Sequence, residues 1–173
     1  MTDIDITLRQ AIPSDAKKLI DAISLLNKET PYLVVSPHAL NMPVDSMAQE
    51  IDFIYQQPNQ FILLALNHDD IIGIATIVSD DEASFRHVGE LGITIEKKFW
   101  GLGLGRAMIE EIITLCRKHD VTKRIEINVQ TRNKRAINLY KKTGFTLEGI
   151  KKHAFLSENN TLIDVALMSY LLN

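Results

Sequence analysis

Residues 90–106 read Glu90-Leu91-Gly92-Ile93-Thr94-Ile95-Glu96-Lys97-Lys98-Phe99-Trp100-Gly101-Leu102-Gly103-Leu104-Gly105-Arg106. The segment 90–95 reads as a strand. Beyond the glycines, Met108, Ile109, Ile112, Ile113 and Cys116 recur at helical spacing and predict a helix over 104–119. Three of the chain's eight glycines fall in the turn between them. Glycine lets a backbone approach a ligand closely, and the N–H groups that open a helix favour an anion. The turn therefore suits a pyrophosphate, with Arg106 adding positive charge at its edge. A tight strand-to-helix turn with no ligand is the ordinary alternative. Two better-known loops are excluded. No Lys-Ser/Thr follows, as a Walker A loop requires. The last position of a Gly-x-Gly-x-x-Gly/Ala fingerprint is Arg106 counting from Gly101 and Met108 counting from Gly103.

Outward from this turn, strands and helices alternate. Ile4, Ile6 and Leu8 predict an opening strand. Ser14 reads as the N-cap of a helix reaching Asn27, with Ala16, Leu19, Ile20, Ile23 and Leu26 on one face. Residues 28–44 read as a loop and 45–57 as a second helix. FILLALN (61–67) and IIGIATIVS (71–79) predict a hairpin across His68–Asp70. RIEINVQ (124–130) alternates like a strand, and Asn133 to Thr143 reads as a helix stopped by Gly144. Two last strands, at 149–157 and 162–172, flank a polar turn. The order β-α-α-β-β-β-α-β-α-β-β predicts a mixed α/β fold around one sheet, a single domain over 1–173.

Composition narrows the function. The chain has 173 residues, 46% hydrophobic and 24% charged, with a mean hydropathy of +0.00. These are values of a globular protein rather than a disordered one. No apolar run reaches the roughly 18 residues of a membrane span, and MTDIDITLRQ carries no secretory pattern, so a cytoplasmic location is expected. The single cysteine, Cys116, excludes an intramolecular disulfide and a cysteine-rich zinc site, and the five histidines show no metal-ligand spacing. Residues 96–153 hold 14 basic and six acidic residues, a net +8, while the remainder is −11. The basic stretch lacks interleaved aromatics and any nucleic-acid signature, so no nucleic-acid partner is expected.

A second segment joins the glycine turn. Asn133-Lys134-Arg135-Ala136-Ile137-Asn138-Leu139-Tyr140-Lys141-Lys142-Thr143-Gly144-Phe145 follows RIEINVQ. The turn is similar to Gln/Arg-x-x-Gly-x-Gly/Ala, and this segment to Asn-x-x-Ala-x-x-Leu-Tyr-x-x-x-Gly-Phe. Together, at this spacing, they resemble the GNAT superfamily of acyl-CoA-dependent N-acyltransferases. The strong match covers residues 90–153. The resemblance implies a mostly antiparallel twisted sheet with splayed central strands and flanking helices. It implies acetyl-CoA as cofactor, with its pyrophosphate on Gly101, Leu102, Gly103, Leu104, Gly105 and Arg106. It also implies a bulged strand edge at Ile93, Thr94 and Ile95 that pairs with pantetheine, and a cofactor contact from Asn133. Lys134, Arg135 and Lys142 are the further cations that can reach the CoA phosphates, with simple solvation their ordinary alternative. Trp100 stands where the family places Gln or Arg.

Acyl transfer to an amine needs a held donor, a polarised thioester carbonyl and moved protons. A main-chain N–H of the 93–95 edge can stabilise the oxyanion. Tyr140 is the candidate proton donor to the leaving thiolate. A helix aromatic packed on Phe145 is its ordinary alternative. Asn133 is also the natural N-cap of its helix. A lysine-type amine is overwhelmingly protonated at pH 7, so a base is required, and Glu90 is the candidate. His153 is a second candidate, while Cys116 reads as an inert core thiol. No metal is expected. The resemblance implies an acceptor pocket built from the last strands and the loop joining the first two helices, which here holds Glu29, Tyr32, His38 and Met42. The expected activity is direct transfer to a primary amine of a small molecule. A protein N-terminus or lysine, or a non-catalytic acyl-CoA sensor, stays open as an alternative. Homodimer formation is expected by analogy with the family.

Overall fold

The protein is described by a computed structural model covering residues 5–32 and 41–173. Eleven elements follow in the expected order. They are β1 (Ile6–Gln10), α1 (Ala16–Glu29), α2 (Val44–Tyr55), β2 (Phe61–Asn67), β3 (Asp70–Ser79) and β4 (Val88–Ile95). Then come α3 (Leu104–His119), β5 (Arg124–Gln130), α4 (Lys134–Lys142), β6 (Thr146–Leu156) and β7 (Leu162–Leu171). The strands form one seven-stranded sheet in the order β1-β2-β3-β4-β5-β7-β6. Every neighbouring pair is antiparallel except β4–β5, which is parallel.

Helices cover both faces of the sheet. On one face, Leu19 and Leu26 of α1 and Met47 and Ile51 of α2 pack with Ile62, Leu64 and Ile74. On the other, Met108, Ile109 and Ile112 of α3 pack with Leu63, Ala75, Ile77, Leu91 and Ile125. This double cover explains why β2 reads as an unbroken apolar run: its residues 61–66 are all buried. Ala22 completes the buried face of α1, leaving Ile20 and Ile23 only half-buried.

The start of α1 departs from the sequence reading. Ser14 lies in a short 3-10 turn (Pro13–Asp15) rather than at the N-cap. The N-cap position belongs to Asp15, whose side chain makes no capping bond to α1. Its carboxylate instead accepts two hydrogen bonds from the Arg9 guanidinium, at 2.7 and 2.8 Å, and a third from the Ile12 N–H at 2.9 Å. Asp15 thus ties β1 to the first helix, a long-range demand that outweighs local capping.

The central pair β4–β5 decides where a site can form. The two strands pair over only three positions, Val88–Arg124, Gly89–Ile125 and Glu90–Glu126. Beyond Glu90, β4 stays paired to β3 as far as Ile95, and beyond Glu126, β5 stays paired to β7 as far as Gln130. Each strand follows its outer neighbour, and a wedge opens between them. The bulge expected in β4 is absent: its register against β3 is unbroken from Gly89 to Ile95. The irregularity on that side lies between β2 and β3, at Ala65/Leu66. Partition of the sheet, rather than a kinked strand, makes the opening.

The Arg9–Asp15 pair carries a stability test. Arg9 holds the Asp15 carboxyl below its ordinary range. A lowered carboxylate contributes stability in full above the unfolded pKa of about 3.9, and that contribution is lost as pH falls through the folded value. Asp15→Asn is expected to cost about 1–3 kcal/mol in urea unfolding at pH 7. The difference from the parent should shrink below about pH 4.

Candidate active site

The wedge exposes one edge of β4. At its end the Glu96 N–H donates to the Ile72 carbonyl, 2.8 Å away, in register with the β3–β4 ladder. Main-chain groups alternate sides along a strand, so even-numbered residues of β4 are hydrogen-bonded to β3. Leu91, Ile93 and Ile95 turn theirs toward the wedge. Thr94, expected at the pairing edge, instead directs its main chain at Ile74, and the edge is formed by Ile93 and Ile95. The Ile95 carbonyl is already engaged, accepting from Trp100 Nε1 at 2.6 Å.

Side chains alternate the other way, and this divides the site between two faces. Leu91, Ile93 and Ile95 point into the core under α3 and α4. Glu90, Gly92 and Thr94 therefore lie on the opposite face. A cleft of about 820 Å³ passes through the wedge and is lined from both sides. Ala136, Leu139 and Tyr140 of α4 line it beneath the sheet, and Glu90, Thr94, Thr30 and Tyr32 line it above. The two sequence candidates for proton transfer are thus brought to one cleft, on opposite sides of the sheet.

Tyr140 is 4% exposed and tilts against Phe145, with ring centroids 5.7 Å apart. The packing role and the cleft-lining role hold together. Burial raises its phenol above the usual value, and its hydroxyl has no hydrogen-bond partner among the described residues. Glu90 is exposed and has no partner among the described residues. Asn133 caps α4, its Oδ1 accepting from the Ala136 N–H at 3.2 Å, and it lines the cleft as well. Capping uses its oxygen and leaves its amide N–H₂ available.

The glycine turn lies at one end of the cleft, where Trp100 is a lining residue. Gly101 (φ 82°) and Gly103 (φ 83°) adopt the left-handed conformation, and nothing lies within 4 Å of where a Cβ would sit. These two keep backbone open to a ligand. Gly105 differs. An added Cβ would stand 2.9 Å from Leu139 Cδ2 and 3.4 Å from Ile95 Cδ1. Its absent side chain makes room for α4 rather than for a phosphate. Leu104 is buried, while Leu102 is 61% exposed. Arg106 is paired with Glu110 at 2.7 Å. Lys142 sits at the far end of α4, outside the cleft, roughly 12 Å along the helix from its first residue. Two α4 cations do line the cleft, Lys134 and Arg135, and the Arg135 guanidinium carbon stands 3.8 Å from the centroid of the Trp100 ring.

Of the acceptor-loop candidates, Tyr32 lines the cleft and lies under the Arg132 guanidinium at 5.5 Å. Glu29 accepts from the Lys97 N–H at 2.8 Å. Met42 packs on the α1–α2 core, and His38 lies outside the described residues. His153 is not among the lining residues. It sits in an irregular stretch of β6 with φ 51°, its N–H donating to Asp164 at 3.0 Å. Cys116 is fully buried, and burial pushes its thiol up to about 11, which keeps it inert. No group of His, Cys, Asp or Glu among the described residues could hold a metal ion, and no helix is long and apolar enough to cross a membrane.

The sequence reading missed the brace at the apex of the wedge. Arg124 donates to Glu126 at 2.6 Å and grips Glu148 of β6 with two N–H groups. Glu148 also accepts from Ser169 Oγ of β7 at 2.6 Å. Arg124 and Ser169 together hold the Glu148 carboxyl down to about 2. Arg124 and Glu126 are spaced i, i+2 on one strand, a legible sign of a shared face, but the partners from β6 and β7 are not legible locally.

The packing of Gly105 gives a test independent of any ligand. Gly105→Val is expected to lower the stability of the unliganded protein by about 1–3 kcal/mol through overpacking against Leu139. An unchanged melting temperature without ligand would show that the glycine serves only the ligand.

Comparison with known proteins places this geometry. The acetyltransferase (GNAT) family profile matches residues 24–145. An L-amino acid N-acetyltransferase of Escherichia coli (strain K12) is 32% identical over 128 residues, 73% of this chain and 76% of that protein. A crystal structure of a GNAT-family acetyltransferase from Streptococcus pneumoniae superposes with a TM-score of 0.93. It is 32% identical and covers 97% of this chain and 100% of that one. The Salmonella typhimurium protein yncA, solved with its cofactor acetyl-CoA, gives a TM-score of 0.83 at 17% identity, covering 98% and 95%. The wedge between β4 and β5, the glycine turn and the Asn133–Phe145 segment are therefore those of a family fold: the chain belongs to the GNAT family of acetyltransferases.

Proposed function

We propose that this chain transfers the acetyl group of acetyl-CoA directly to the primary amine of a small molecule, with α-amino acids the first class of acceptor. The observation that carries the reading is the wedge, which gives one cleft two chemically different sides. The acceptor class is supported by the name of the E. coli relative.

The residues present fit the donor. Ile93 offers N–H and C=O groups on an edge not used by another strand beyond Glu90, which suits the amides of pantetheine. Gly101 and Gly103 leave open space beside the main chain for phosphate. A main-chain N–H of the β4 edge that is not taken by pantetheine donates to the carbonyl oxygen as negative charge develops there. Glu90, on the acceptor side, takes the proton of the attacking amine, directly or through water. Tyr140, on the other side, donates a hydrogen bond to the departing thiolate.

Burial shapes that donor. A phenol with a raised pKa stays protonated throughout the neutral range, and full proton transfer to a thiolate of pKa about 8.5 is uphill. Its service is therefore a hydrogen bond that strengthens as charge appears on sulfur. No covalent acyl-enzyme is invoked, because Cys116, the chain's only thiol, is buried with its thiolate disfavoured.

The test is thiol release from acetyl-CoA with free amino acids, spermidine, aminoglycosides and short peptides as acceptors, against a control without acceptor. Release with amino acids is the expected result. Release confined to peptides would move the acceptor to a protein N-terminus. Binding of CoA without release for any acceptor would leave an acyl-CoA sensor. With the active acceptor, Tyr140→Phe is expected to lower kcat by about 10²-fold with acetyl-CoA affinity nearly unchanged. An unaltered kcat would remove Tyr140 from the role. The value of kcat/KM should rise with pH as the acceptor amine loses its proton. It should show no descending limb from Tyr140 below about pH 10.

A further inference from the structure

Most of the arginines beside the cleft are already engaged. Arg106 is paired with Glu110, Arg124 with Glu126 and Glu148, and Arg132 Nε donates to Gln130 at 2.8 Å. Arg135 has no hydrogen-bond or carboxylate partner among the described residues. It is nevertheless held in place. Its guanidinium carbon stands 3.8 Å from the centroid of the Trp100 ring, and the indole is itself fixed by its bond to the Ile95 carbonyl. A guanidinium held over an aromatic ring spends none of its N–H groups on a hydrogen bond, and they remain available for bidentate capture of a phosphate.

The energetics point the same way. Partial burial lowers the Arg135 pKa, and no neighbouring acid offsets the effect. The side chain stays exposed, so an incoming anion can reach it without the desolvation cost of a buried pair. Position selects the anion. Trp100 directly precedes Gly101 and Gly103, whose backbone faces open space, so Arg135 stands over the start of the turn.

We propose that Arg135, held flat on Trp100, grips the pyrophosphate of the acyl-CoA donor, and that Trp100 acts as its positioning residue. Of the cations that the sequence offers for the phosphates, this selects Arg135, while Arg106 is paired with Glu110. The inference rests on the acetyl-CoA reading above.

The test is calorimetric titration of the parent protein, Arg135→Ala, Trp100→Ala and Trp100→Phe with CoA, dephospho-CoA and pantetheine, each variant first checked by thermal melting. Arg135→Ala is expected to weaken CoA and dephospho-CoA alike by about 10–100-fold and to leave pantetheine unchanged. Trp100→Ala should weaken the same two ligands by about 2–30-fold. Trp100→Phe keeps an aromatic face while losing the bond to Ile95, and should restore most of that loss. Three outcomes would overturn the proposal. They are no loss in Arg135→Ala, an equal loss for pantetheine, or a loss for CoA without one for dephospho-CoA, which would assign Arg135 to the 3′-phosphate. A parent protein that binds none of the three ligands would instead overturn the acetyl-CoA reading itself.

Discussion

Everything at the site depends on β4 and β5 parting after the pair Glu90–Glu126. Parallel strands in a closed sheet would satisfy each other's main-chain groups, and no edge would face a ligand. Here each strand is claimed along its length by an outer neighbour, β3 on one side and β7 on the other. The three shared pairs at the base keep the two halves in one sheet. The Arg124–Glu126–Glu148–Ser169 brace fixes the apex by tying β5 to β6 and β7 where pairing to β4 stops. The opening needs no bulge in β4, because it results from how hydrogen bonds are shared among the four strands β3, β4, β5 and β7.

The same opening gives the chemistry its direction. Side-chain alternation along β4 sends the isoleucines under α3 and α4 and leaves Glu90 and Thr94 on the other face. A base and a hydrogen-bond donor can then stand on opposite sides of one thioester without competing for the same space. Burial supports this division. Tyr140 is enclosed against Phe145 and held neutral, while Glu90 remains exposed among acceptor-side residues. Within the basic segment 96–153, Arg106 and Arg124 are engaged by Glu110, Glu126 and Glu148. Its net charge in sequence therefore says little about which cation remains for a ligand.

Local features were legible where the physics is local. The glycine turn, the capping Asn133, the stop at Gly144 and the buried face of α3 follow from backbone conformation and 3.6-residue periodicity. The two motifs 133–145 and 101–106 also carried the family, and with it the wedge. The errors fell where a distant partner decides. Ser14 resembles a cap, yet Asp15 is taken by Arg9 of β1. Gly105 resembles a phosphate glycine, yet Leu139 of α4 occupies the space beside it. Lys142 and Arg106 resemble ligand cations, yet one is a helix length away and the other already paired.

By itself the sequence determined the order of elements, the family, and the presence of an anion-suited turn at a helix start. Periodicity, glycine and capping chemistry act over a few residues and can be read along the chain. Only the tertiary structure decided which main-chain groups of β4 face the wedge and which side of the sheet each candidate occupies. It alone left Arg135, rather than Arg106, without a partner. Those outcomes depend on strand register and on charges meeting across elements far apart in sequence, so no local stretch contains them.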